Sequence, residues 1–280
     1  MSHELMTALT KKKPKTYNLA INVNSLSEST LSLTIFKGTR LDYGYTETTV
    51  NKPSTLITPT EVAIVSIPVP AGTTHVYLRF ANPSLITGSH IRINEGSVAT
   101  LVTGVSYWEG NPFSKISFSS TPYMVSVPDK LWPACTDMSG MFQNCIRFNQ
   151  ALNYNAPNVL NMSTMLAGCT GFNQPVTLIA PKVTNFASMF EGCSNFNQPI
   201  AINAPNVVNM QGMFFACAKF NQTLTGLDIT KVSNIAVWLY GCIVFNQDLS
   251  TMIFKSTVSR SGYDTNTTAW ITANKPKFTA

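Results

Sequence analysis

Six cysteines are the most reactive groups in this chain, and five of them recur on a period. Cys145, Cys169, Cys193, Cys217 and Cys242 stand 24, 24, 24 and 25 residues apart. Thiols can pair as disulfides, hold a metal, or act as nucleophiles. Zinc sites need Cys or His at short spacings such as C-x2-C. No such spacing occurs. Side chains of one column point in parallel, which is poor disulfide geometry. The sixth thiol, Cys135, lies 24 residues before Val159, where the repeating pattern has valine. All six are therefore expected as free thiols that fill an apolar interior. No metal site and no cofactor is expected.

Three residues after each of the five periodic cysteines comes Phe-Asn-Gln. The phenylalanines are Phe148, Phe172, Phe196, Phe220 and Phe245. The asparagines are Asn149, Asn173, Asn197, Asn221 and Asn246. An asparagine row is one candidate for ligand binding. Buried amides must find partners, however, and an internal ladder bonding the turn backbone is the expectation. A methionine stripe, with Met138, Met141, Met162 and Met165 at its start, has the spacing of core packing rather than of a soft-metal site. His3, His75 and His90 are the only histidines, and none falls in a triad or metal spacing. Neither GxxxxGK[ST], GxSxG nor HExxH occurs, and the carboxylates are scattered. No catalytic residue is assigned, so a non-enzymatic protein is expected.

The elements that position these residues follow from the period. A repeat in the twenties is the signature of a solenoid, where each unit buries its apolar face only against its neighbours. Within one unit, Val183, Phe186, Met189, Phe190 and Cys193 recur at steps of three, three, one and three. Those steps predict one face of a short helix. Pro157, Pro181 and Pro205, two residues ahead of the stripe, suit a helix start. After the Phe-Asn-Gln turn, Pro175 to Ile179 and Pro199 to Asn203 alternate as strands. One strand and one short helix per coil is the expected unit. If Leu152, Val176, Ile200, Leu224 and Leu249 face inward, then Asn153, Thr177, Ala201, Thr225 and Ser250 face outward. This row is small, neutral and flat, and it is the candidate binding face.

The unit Val-x-Asn-Met-x-x-Met-Phe-x-x-Cys-x-x-Phe-Asn-Gln-Pro resembles the repeat of the BspA-like leucine-rich-repeat group of bacterial surface proteins. The resemblance covers residues 133–250. It implies an LRR-like solenoid and a habit of binding, as in adhesins and some phage structural proteins, without naming a ligand. Two departures, the extra residue near Gly226 and Trp238-Leu239 in place of Met-Phe, point to a coil at the end of the stack.

The remaining chain reads as attachments. Residues 1–15, with Lys11, Lys12, Lys13 and Lys15, form an expected flexible basic arm. Residues 16–110 carry six or so short alternating segments, from Asn18–Val23 to Val98–Val102, separated by turn formers. They predict a β-sandwich or jelly roll. Residues 111–134 are expected to link and cap the first coil, and residues 251–280 to cap the last, with a short helix at Thr265–Trp270. Five repeats fill 135–250. The fold class is mainly β.

Composition narrows the setting. Charged residues make up 11% of the 280, and the net charge is +6, against about a quarter charged in an average soluble domain. The repeats are balanced, Arg147, Lys182, Lys219 and Lys231 standing against Asp137, Glu191, Asp228 and Asp248. With no basic stripe, nucleic acid is not an expected partner. No apolar run is long enough to span a membrane, and Met1 to Leu9 lacks the core of a signal peptide. The expectation is a phage virion structural protein made in the host cytoplasm. Most simply it is a capsid decoration protein that docks through residues 16–110 and displays the repeats. The expected partners are capsid or tail proteins of the same virion, a host surface protein or glycan, or a second copy. The alternatives are a bacterial cell-surface adhesin and a tail receptor-binding protein.

Overall fold

A computed structural model describes residues 19–24, 29–35, 41–45, 52–53, 63–80, 90–93, 102–108 and 113–279. The expected basic arm, His3 and most of the Val98–Val102 segment lie outside these residues. Among the described residues the first half holds nine strands, most of them alternating apolar and polar. They are β1 (Leu19–Val23), β2 (Ser29–Ile35), β3 (Leu41–Gly44), β4 (Lys52–Pro53), β5 (Ala63–Val69), β6 (His75–Phe80), β7 (His90–Ile93), β8 (Val102–Tyr107) and β9 (Lys115–Ser117). One sheet has the order β4-β3-β6-β1-β8 and the other β5-β2-β7-β9. β5 runs through Pro68, which stands opposite Thr30, to Val69.

The last strand of the second sheet begins the solenoid. β9 pairs in parallel with β7, His90 opposite Lys115 and Arg92 opposite Ser117. From there the chain winds through about seven coils. Equivalent positions stack in columns. Met124, Phe148, Phe172, Phe196, Phe220, Phe245 and Trp270 form one, and Thr121, the five periodic cysteines and Thr267 form another. All of these residues are buried. The columns thus run through residues 113–134 and 258–279 as well, so both end segments wind as coils. There is a further coil beyond Trp238-Leu239, and residues 265–270 form turns and not a helix.

The expected helix per repeat is absent. Among the described residues the only helical element is a 3-10 turn, Thr272–Asn274. The stripe is instead a chain of linked turns. The N–H groups of Met141, Cys145 and Phe148 donate to the carbonyls of Met138, Phe142 and Cys145, at 3.2, 2.9 and 3.0 Å. Between these, Met138, Gly140, Phe142 and Asn144 donate across to Asn161, Ser163, Met165 and Ala167 of the next coil, at 2.7 to 2.9 Å. Turns stepping by three residues put the same positions inward as a helix face does. The residues that break the helix have left-handed backbones in two columns, one holding Thr164 (φ 53) and Ser188 (φ 55), the other Asn144 (φ 60) and Ala216 (φ 58). A left-handed residue in each turn cannot continue a right-handed helix.

Three short strands complete the middle coils: β10 (Leu152–Asn155), β11 (Val176–Ile179) and β12 (Ile200–Asn203), parallel and in register. β13 (Ile253–Lys255) and β14 (Lys277–Thr279) pair likewise in the last two coils. One apolar cluster runs from Leu19 in β1 to Trp270 in the last coil. The coils approach so closely that Gly171 has no room for a side chain. A Cβ there would lie 2.5 Å from the Ile146 carbonyl oxygen, whereas at Gly226 it would meet nothing within 4 Å. Gly171→Ala should cost about 1–3 kcal/mol in urea unfolding. Gly226→Ala should cost nothing or stabilise by a few tenths of a kcal/mol, about what reduced unfolded-state freedom provides.

Candidate functional site

The β10–β12 sheet fixes the outward row. Asn153, Thr177 and Ala201 are direct partners across the two parallel pairings. Neighbouring strands stand about 4.8 Å apart. All three side chains are exposed, while Leu152 and Val176 are buried beneath the same strands and Ile200 is half-buried. The other two expected members stand apart. Thr225 sits in a turn where its hydroxyl meets that of Thr223 at 3.0 Å, because the extra residue near Gly226 replaces the fourth strand. Ser250 is half-buried, its N–H donating to Asp248 Oδ1 at 2.9 Å. The five-residue row is therefore a three-residue face.

A groove of about 770 Å³ opens along the first edge of this sheet. One wall is β10, with Gln150 and Asn158 at its ends; the other is Asp129 to Pro133. Gln150 clamps the near end, its side chain accepting from Val127 N–H (2.7 Å) and donating to Val127 O (2.9 Å). Tyr154 O–H donates to the Pro128 carbonyl (3.2 Å) and Trp132 Nε1–H to the Phe113 carbonyl (2.5 Å). Both rings are sealed in the core, and burial pushes the Tyr154 phenol far above its ordinary value. The sequence reading missed this groove. Its signal was Pro128, 24 residues before Leu152 and so at the strand position of the preceding coil.

The repeating polar residues hold the coils together. Asn173, Asn197, Asn221 and Asn246 each donate a backbone N–H to the Oδ1 of the asparagine one coil earlier, at 2.8 to 2.9 Å. A second Asx column, not singled out from sequence, holds Asp137, Asn161, Asn185, Asn209 and Asn234. Each accepts from the N–H two residues on, at 2.7 to 3.1 Å. The five periodic thiols donate to carbonyls on the preceding coil, from Cys145 Sγ to Phe118 O (3.1 Å) through Cys242 Sγ to Phe214 O (3.1 Å). Burial pushes Cys193 and Cys242 up to about 12 and Cys145 to about 11, and raises Cys135, Cys169 and Cys217 as well. A thiol so far from ionising is a poor nucleophile.

The histidines are not brought together. His75 lies on β6, stacked beside Tyr77, with its Nδ1 3.0 Å from Thr74 Oγ1. His90 lies on β7 facing a smaller groove with Arg92 and Lys115. Burial, and then the Lys115 charge, hold its pKa below the ordinary value. Lys115 is 3.6 Å from the Asp137 carboxylate. Among the described residues, no three His, Cys, Asp or Glu side chains gather as a metal site.

Fold and site together define a β-solenoid whose lateral sheet presents a flat face beside an open groove. Residues 132–201 and 180–270 match the family described as Mycoplasma protein of unknown function, DUF285. The two overlapping matches cover the middle coils and leave out the N-terminal sheets and the outer parts of the two end coils. No curated protein and no solved structure matches the chain.

Proposed function

We propose that the chain is a non-catalytic display and adhesion protein. Its N-terminal sheets, which we read as a β-sandwich, dock on a carrier surface and hold the solenoid outward. The Asn153–Thr177–Ala201 face and its groove then meet a partner. The observation that carries this reading is the single core running from the sheets to the last coil. Its junction is made by the β7–β9 pairing and by Trp108, which stands edge-on to Trp132 at 5.1 Å. A body built this way gives the displayed face a fixed pose relative to the docked end.

The resemblance of the unit to BspA-like adhesin repeats supports the adhesion half. We take the carrier to be a phage particle, with capsid or tail proteins as docking partners and a host surface protein or glycan as the target. The low charge and the two-part plan support this setting. A bacterial cell surface is the second reading, favoured by the match of the coils to a Mycoplasma family. No helix among the described residues is long and apolar enough to cross a membrane.

The double variant Thr177→Arg with Ala201→Arg tests the face. Both positions are exposed, so stability should change by less than about 0.5 kcal/mol each. Attachment of labelled particles or cells should fall at least tenfold, and unchanged attachment would overturn the proposed face. Antibody labelling of purified virions should decorate their surface; labelling only of cell envelopes would replace the first setting by the second.

A further inference from the structure

The outer edge of β10 is a vacant place at the start of the β10–β12 ladder. In parallel pairing, successive residues of a strand address opposite neighbours with their N–H and C=O groups. Leu152 N–H donates to Pro175 O (3.3 Å) and Ala156 N–H to Ile179 O (2.8 Å), both on the β11 side. The N–H and C=O groups of Asn153 and Asn155 therefore point the other way, into the groove. Among the described residues no hydrogen bond reaches them. β11 and β12 each have the preceding strand on the corresponding edge. β10 has none, for a reason visible in the sequence. Pro128 takes the strand position and has no N–H to give. The Trp108 indole N–H, bonded to the Lys130 carbonyl, holds the segment away from β10. The result is an open slot beside a row of unpaired amides, the arrangement that adds a strand from another chain.

We propose that this groove takes an extended peptide segment of a partner protein, which adds to β10 as a further strand. The inference rests on the adhesion reading and names its partner class. The lining selects the occupant. Asp129 and Lys130 put one charge of each sign beside the groove, so no charged ligand is favoured. A sugar would need an aromatic face, and the ring-bearing residues of the lining, Trp132 and Tyr154, are 1% and 2% exposed. What the groove offers is backbone. Across the slot, successive side chains of an added strand would alternate between the coil interior and the Asn153 side. An alternating apolar and polar segment fits.

A random peptide library panned on the full-length protein supplies the probe, and the selected peptide is synthesised and its Kd measured by fluorescence anisotropy. Asn153→Pro removes an N–H that the β11 ladder does not use, on an edge where proline is tolerated. Asn153→Ala keeps that N–H and removes the side chain. The selected peptides should alternate in polarity. Kd should rise at least tenfold in Asn153→Pro and stay within twofold in Asn153→Ala. In the unaltered protein, peptide should slow hydrogen exchange at the Asn153 and Asn155 amides, a readout that does not depend on any variant folding. The inference is overturned if no peptide is selected, if Asn153→Pro binds as the parent does, if those amides stay unprotected, or if a glycan array finds a sugar that protects them instead. The Thr177→Arg with Ala201→Arg variant separates the two readings. Lost attachment with peptide binding intact supports the face alone, and peptide binding lost only with Asn153→Pro supports the slot.

Discussion

Raising the pH from 8 to 10 should lower the folding stability by several kcal/mol. Each of the six thiols keeps its proton in the folded protein well above the ordinary value of 9.0. In the unfolded chain the same thiols ionise near that value. Above it the native state binds more protons than the unfolded state, so stability falls as pH rises. The loss begins near pH 9 and ends only where the buried thiols themselves ionise, about 11 for Cys145 and about 12 for Cys193 and Cys242. Over the two pH units each thiol contributes a loss on the order of 1 kcal/mol. Burial pushes Tyr263 up to about 12 as well, which adds a loss of the same sign at the upper end. Urea unfolding followed by tryptophan fluorescence, with excess reductant, measures the slope. Cys193→Ala should flatten it by about one thiol's share over the same range. A flat profile between pH 8 and 10 would mean that the column is not a stack of buried, reduced thiols.

The second large effect lies in the phenylalanine column. Phe196 is fully buried and packs against Phe190 at 4.8 Å, Phe172 at 5.5 Å and Phe220 at 5.5 Å between ring centroids. Phe196→Ala removes one ring from the middle of this row. The coils on either side are held apart by their own backbone bonds, so the space cannot collapse. The expected cost is about 3–5 kcal/mol, read as a lower urea midpoint with unchanged slope. Trp270→Ala, at the end of the same column, should cost less, because a terminal coil has one neighbour and opens first. Equal losses at the two sites would show that the stack unfolds without regard to position.

The period made the solenoid legible, since a column such as Cys145 to Cys242 has no other economical explanation. The backbone inside the unit was not legible. Steps of three, three, one and three are shared by a helix face and by linked turns. The residues that decide between them, Thr164, Ser188, Ala216 and Val237 among the left-handed positions, carry no common signature of that conformation. The end coils were hidden for a different reason. Thr121 and Met124 at one end, and Thr267 and Trp270 at the other, fill the Cys and Phe columns with residues of another type. The outward direction of Asn153, Thr177 and Ala201 was legible because strand alternation is local. Thr225 is also exposed, above buried Leu224, and Ser250 is half-buried, but neither lies in a strand, so the sheet does not carry the row on to them. The groove required knowing that Pro128 leaves a place empty, which only the stacked coils show.

The asparagine row has a consequence for how such a gene can change. Every rung is the same bond made in the same direction, Oδ1 of one coil to N–H of the next, and the first and last rungs meet different end coils. A recombination that removes residues 183–206 joins Lys182 to Val207 and leaves Asn173 facing Asn221, with the thiol and phenylalanine columns still in step. Duplication of the same stretch inserts one more rung. Each such event shortens or lengthens the stack by about one strand spacing, near 4.8 Å. The length of the stack can therefore vary between related lineages by whole units, while the N-terminal sheets and the final coil stay unaltered.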